Sequence, residues 1–196
     1  MFDPIELGRE FFERLTEVDA AITAKVAASA CSRCGGPLHV GNYPRKPRGG
    51  LLAVAGEALT VRFSLCCGRE GCRRRTTPPS VRFLGRRVYV GAVVIVASVV
   101  AVAVAAAKAS RRLTGISART TQRWVRWWQE AFPKTAVFAA LSARLVPSVA
   151  RSELPSSVLT RMPGKPQAQF EALLGWLAPL TTESTPDGAR FVRGTG

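Results

Sequence analysis

Cys31-Ser32-Arg33-Cys34-Gly35-Gly36 and Cys66-Cys67-Gly68-Arg69-Glu70-Gly71-Cys72 together hold all five cysteines of the chain. A tetrahedral zinc site takes four soft ligands about 2.3 Å from the ion. A CxxC turn closed by glycines supplies two of them from one bend, because glycine lets the backbone fold back until both sulfurs aim at one centre. The second cluster supplies the other two, and the reading is a Zn2+ site held by Cys31, Cys34, Cys67 and Cys72. Cys66 is the alternative to Cys67, since the spacer to Cys72 is four residues from Cys67 and five from Cys66. Disulfides need an oxidising compartment, and the acidic, helical start of the chain has none of the basic-then-apolar pattern of a secretory signal. A redox CxxC expects a βαβ setting, which is missing here. His39, a lone histidine just past the first knuckle, reads as a strand residue rather than a ligand.

Outward from the cysteines, Leu38 to Tyr43 reads as a short strand. Leu59 to Leu65 reads as a second, with alternation at Leu59, Val61, Phe63 and Leu65. Strand, knuckle, strand, knuckle is the layout of a zinc ribbon, here spanning 31–87, in which the metal stands in for a core that so short a segment cannot build. Between the strands lies a basic loop stiffened by Pro44 and Pro47. After the second knuckle come Arg73, Arg74 and Arg75, an edge suited to phosphate contact.

Charge is distributed unevenly. Lysine and arginine outnumber acids 28 to 13. Residues 1–30 carry 3 basic and 6 acidic side chains, residues 31–87 carry 12 against 2, and residues 108–134 carry 7 against 1. Two basic segments separated by an uncharged one are expected if both face a polyanion, so nucleic acid is the leading partner class.

The N-terminal segment, 1–30, reads as one amphipathic helix started by Asp3 and Pro4, with Phe11, Leu15, Val18, Ile22 and Val26 along its apolar face. That face packs on the rest of the chain in preference to a second copy, because no sustained heptad is present. Residues 88–107 form a run of 20 without a charge. By length this is a membrane-span candidate, but it is built of alanine and valine and has basic flanks on both sides, and a fully buried helix, or helices, in a small core reads the same way by periodicity.

The sequence after that run, Arg111-Arg112-Leu113-Thr114-Gly115-Ile116-Ser117-Ala118, has the punctuation of a helix-turn-helix over 88–134. Gly115 serves the turn, Ile116 plugs the core and Ser117 caps a helix that ends before Pro133. On this helix Thr121, Trp124, Val125 and Trp128 share the core face. Ala118, Arg119, Gln122, Arg123 and Arg126 lie opposite, and arginine and glutamine are the residues that pair bidentately with guanine and adenine in the major groove. The tail, 135–196, is expected to hold a short helix at Phe138, Leu141 and Leu145 ended by Pro147, another from Leu154 to Met162, an amphipathic pair of turns at Phe170, Leu173, Leu174 and Leu177, and a frayed end from Thr181.

The cysteine clusters, the run Tyr43-Pro44-Arg45-Lys46-Pro47-Arg48-Gly49, the Arg-Arg-Arg-Thr-Thr-Pro-Pro-Ser sequence after Cys72 and Gly115-Ile116-Ser117 with Trp124 resemble the small zinc-ribbon plus helix-turn-helix proteins found with bacterial insertion sequences. The combination is also similar to the N-terminal DNA-binding region of some insertion-sequence transposases. The resemblance covers about residues 10 to 135. It implies element-end or target binding in transposition, with double-stranded DNA as partner and a transposase or a second copy of the chain beside it. It does not imply an enzyme. Strand transfer of that kind uses three carboxylates holding two metal ions, whereas the only aspartates are Asp3, Asp19 and Asp187 and no acid lies between Glu70 and Glu130.

The sequence therefore gives an α+β expectation, mostly helical with a small β zinc ribbon followed by a helix-turn-helix domain, in a cytoplasmic, nucleoid-associated protein. Two alternatives share the same parts: a single-span membrane protein with a cytosolic zinc ribbon, and a transcription regulator.

Overall fold

Residues 7–46, 55–84, 89–103 and 116–181 are described by a computed structural model of the chain. The architecture is α+β, with short antiparallel ladders and a helical remainder. Its axis is the uncharged run. Tyr89–Val90 pairs with Phe83–Leu84 as a hairpin, and Gly91–Ala103 is a helix whose Ala92, Val93, Val94, Ile95, Ala97 and Ser98 are all buried. Alanine and valine serve this place because small side chains let other elements approach closely; a β-carbon on Gly91 would lie 2.9 Å from Leu174. Burying Val93, Val94 and Ile95 stabilises the fold by roughly 1.5–3 kcal/mol each. The described part of the run thus opens as a strand, at Tyr89–Val90, where a buried helix, or helices, was expected. Among the described residues no helix is long and apolar enough to cross a membrane. Residues 104–115, with Arg111, Arg112 and the Gly115 turn, lie outside the described part.

In chain order the helices are α1 (Arg9–Ala27), α2 (Gly91–Ala103), α3 (Ala118–Arg126), α4 (Ala136–Ser142), α5 (Ser156–Leu159) and α6 (Pro166–Leu177). The strands are β1 (Leu38–Val40), β2 (Tyr43–Pro44), β3 (Val61–Arg62), β4 (Leu65–Cys67), β5 (Arg75–Thr76), β6 (Phe83–Leu84) and β7 (Tyr89–Val90). One buried cluster joins distant parts of the chain: Phe11, Phe12 and Leu15 from α1, Leu59 and Phe83, most of α2, Trp124 and Trp128, and Phe170, Leu173, Leu174 and Leu177 from α6.

Helix α1 departs from the expected stripe. The start at Asp3 lies outside the described residues, and the helix described begins at Arg9 after Gly8. Phe11 and Leu15 are buried as their spacing requires, but Val18 is 44% exposed and the next position, Asp19, is fully buried. The reason is ionic. Asp19 Oδ2 takes Arg82 Nε at 2.8 Å and the Ser80 hydroxyl at 2.5 Å, and Oδ1 takes the Val81 amide at 2.7 Å. Arg82 also donates to Thr16 and to the Ala58 carbonyl, and its guanidinium lies over Phe63, 4.5 Å from the ring centre. A buried charge is tolerated only when paired and hydrogen-bonded, which this one is.

Both expected strands are interrupted. Leu38 to Tyr43 becomes β1 and β2, and Leu59 to Leu65 becomes the end of a 3-10 turn, β3 and β4. Between the halves Asn42 Oδ1 accepts from the Ser64 amide at 3.1 Å, so a side chain takes a ladder position. The expected inward face of the second strand holds at Leu59 and Leu65 but reverses between them: Val61 is exposed, while Arg62 and Ser64 are buried. Arg62 turns inward to donate to the Pro78 carbonyl at 2.6 Å. Burial pulls its pKa down to about 10, with Asp19 opposing that effect.

The tail is part of the core. Leu154, Val158 and Leu159 are buried around α5, and the α6 residues named from the sequence are at 0% exposure. Thr181 is buried rather than frayed, and its Oγ1 accepts from the Ser80 amide at 2.9 Å. Residues 182–196 lie outside the described part.

Candidate metal centre and nucleic-acid interface

The first knuckle closes through local backbone bonds. Gly35, at φ +70°, donates to the Cys31 carbonyl at 2.8 Å, and Cys31 donates to the Gly36 carbonyl at 2.8 Å. Gly36 is pressed against the centre: a β-carbon there would lie 3.0 Å from the Cys67 sulfur and 3.4 Å from that of Cys34. The second knuckle sits at the end of β4, in the three-stranded ladder β1-β4-β5. Cys67 donates to the Arg74 carbonyl at 2.9 Å, Gly68 to that of Pro37 at 2.9 Å, and Cys72 to that of Arg69 at 3.1 Å. Gly71 and Arg73, at φ +82° and +44°, turn the chain back.

These turns bring Cys31, Cys34, Cys67 and Cys72 together with their sulfurs all within 4.8 Å of one another. Cys31 and Cys72 are 3.9 Å apart and Cys34 and Cys67 3.4 Å, and all are free thiols. A tetrahedron with metal–sulfur bonds of about 2.3 Å has edges of about 3.8 Å, so the four fit one metal ion. Cys66 is outside the group. It lies opposite His39 on β1 and Arg75 on β5, on the other face of the pleat from Cys67, and its sulfur is 3.4 Å from the Arg73 carbonyl. His39 is exposed, its ring over Gly68, and is not among the converging ligands.

Electrostatics within the cluster are asymmetric. Hydrogen bonding from the Arg33 backbone, against burial, lowers the Cys31 pKa to about 7. At Cys67 the Arg69 backbone pulls downward, but burial and the neighbouring thiols raise the pKa to about 12. Arg69 also donates from Nη1 to the Cys34 carbonyl at 2.7 Å, tying one knuckle to the other.

The three arginines after Cys72 have different surroundings. Arg73, Arg74 and Arg75 are all exposed, but only the Arg75 side chain is tied to the sheet. Arg75 Nη1 donates to the Gly41 carbonyl at 2.6 Å and lies 3.1 Å from the Ser64 hydroxyl, and its guanidinium lies 5.3 Å from the Tyr43 ring centre. Arg75 braces the sheet, a part its place in the arginine run did not reveal.

Ser117 caps α3, its side chain accepting from the Thr120 amide at 3.3 Å. Ile116, Thr121, Trp124 and Trp128 are buried and Val125 half-buried. On the opposite face Arg119, Gln122 and Arg126 are exposed and Ala118 and Arg123 half-buried. Positions 119, 122 and 126 form one stripe, by steps of three and four. Arg126 and Glu130 are 4.0 Å apart and largely exposed, a weak pair. Beyond Arg126 the helix widens into a π turn, Trp127–Ala131, then narrows to a 3-10 turn, Phe132–Lys134. The wider winding brings Trp127, which the α-helical wheel left unplaced, inward beside Trp128 with ring centres 5.1 Å apart, and Phe132 packs 4.8 Å from Trp128.

In comparisons with known proteins, no family model, no curated protein and no solved structure matches this chain.

Proposed function

We propose that this protein is a zinc-dependent, sequence-directed binder of double-stranded DNA, of the transposition-associated type, serving element-end or target binding without a catalytic domain of its own. The observation that carries the reading is the α3 surface. A capped helix has one face locked into the core through Thr121 and Trp124, continued by Trp128 of the π turn, and the other presenting Arg119, Gln122 and Arg126 to solvent. A helix held this way has the donors and acceptors for base edges and the charge for phosphates. Helix α3 serves as the reading helix of a helix-turn-helix whose expected turn, at Gly115, lies outside the described residues, and α2 packs behind it as a buried scaffold.

Zinc suits the four-thiol group, since a closed set of soft ligands leaves no open position and makes the site structural. Cys31, Cys34, Cys67 and Cys72 hold the ion, and their negative charge is offset by the arginines of the two knuckles. Arg73 and Arg74 meet phosphates, with Arg75 supporting the sheet behind them. A catalytic part is not supported by the acids at hand. Asp19, the one aspartate in the described core, is committed to Arg82.

The test is a panel of duplexes scored by fluorescence anisotropy against the single variants. Gln122→Ala is expected to flatten the preference among sequences by about 1–3 kcal/mol at one base position. Arg74→Ala is expected to weaken all duplexes alike. An unchanged ranking for Gln122→Ala together with unchanged rankings for Arg119→Ala and Arg126→Ala would remove α3 from the reading role.

A further inference from the structure

A 3-10 turn, Arg151–Glu153, is fastened to the exposed flank of the helical run that α3 begins. Gln129 Nε2 donates to the Ser152 carbonyl at 2.9 Å, joining positions 23 residues apart. The turn is held from behind as well: the Ser157 hydroxyl donates to the Ala150 carbonyl at 2.8 Å, and Leu154, the next residue, is fully buried. Ser152 lines a groove of about 440 Å³ together with Gln122, Val125, Arg126, Gln129 and Glu130, so the turn forms one wall of the same surface that α3 presents.

Size decides what such a wall meets. An α-helix with its side chains is about 10–12 Å across, and the major groove of B-DNA is about 12 Å wide. A helix seated there fills the groove, and the groove's walls are sugar-phosphate strands. An element bonded to the helix's exposed flank therefore comes up against a phosphate strand. Arg151, on this turn, is exposed. The local balance favours the contact: Arg119, Arg123, Arg126 and Arg151 stand against Glu130 and Glu153.

We infer that Arg151 is a further phosphate-contacting residue of the DNA interface, placed by its turn against the strand that flanks α3. The inference rests on α3 binding duplex DNA. Phosphate contacts set register and affinity without reading sequence, so the arginine's signature is uniform.

The experiment uses the full chain, a random-sequence duplex and whichever duplex of the panel wild type binds most tightly, with anisotropy measured from about 50 to 200 mM salt for wild type, Arg151→Ala and Arg151→Glu, and circular dichroism to check the fold. The expected result is weaker binding of both duplexes by the same factor, with the slope of log affinity against log salt shallower by about 1 in Arg151→Ala, and weaker binding still in Arg151→Glu. Variant slopes and affinities equal to wild type, on a wild type that binds salt-dependently, would overturn the assignment of Arg151 alone. A wild type without salt-dependent binding removes the α3 reading, and the Arg151 contact with it, before any substitution is compared.

Discussion

Asp19 occupies a position where the spacing of α1 favours an apolar residue, and Arg82 is the reason it can. Nothing local marks the pair, because the partners are 63 residues apart and each alone reads as a surface charge. Removing the carboxylate leaves a buried guanidinium without its counter-charge, so Asp19→Ala is expected to lower unfolding free energy by about 3–5 kcal/mol in denaturant titration. A loss under about 1 kcal/mol would mean that the pair is not buried in solution. The cysteines were more legible. Their spacing named the group but left Cys66 and Cys67 open, and the period of β4 separates them, since adjacent strand residues face opposite ways. Cys66→Ser is accordingly expected to keep one zinc per chain by atomic absorption, and Cys67→Ser to lose it.

At the scale of elements, the sequence named helices better than strands. The cap at Ser117 and the core face of α3 follow from periods and end signals that act within a few residues. Ser117→Ala is expected to cost about 1 kcal/mol of stability, read from the same titration. The strands were harder because side chains from elsewhere complete their ladders: Asn42 replaces a backbone acceptor, and Arg62 turns inward to a proline carbonyl 16 residues away. The small sheet lies among knuckles rather than under a large apolar layer, so a metal held by the four cysteines, as proposed, would be its main constraint. Chelation is therefore expected to remove amide-exchange protection from residues 31–76 while α2 stays protected. Loss of both together would show that the sheet and the helical core form one cooperative unit.

For the molecule as a whole, the resemblance to insertion-sequence proteins reached only to about residue 135, yet the core does not stop there. Phe170, Leu173, Leu174 and Leu177 pack in the cluster that holds Phe11 and α2, and Arg14 meets Glu171 at 2.8 Å. A chain ending at residue 134 is expected to lose cooperative thermal unfolding, because α2 would lie bare on that side. Apolar periodicity made α6 visible as a helix; it could not say which surface the helix covers, since burial is a property of the assembled core.

If the basic segments and α3 bind duplex DNA, as proposed, binding by the intact protein must depend steeply on salt. Each phosphate neutralised steepens the fall of log affinity with log salt by about 0.9. A linear fall with a slope steeper than about −3 is expected, from Arg73, Arg74, Arg119 and Arg126 acting together. An affinity that stays flat between low and physiological salt would contradict it.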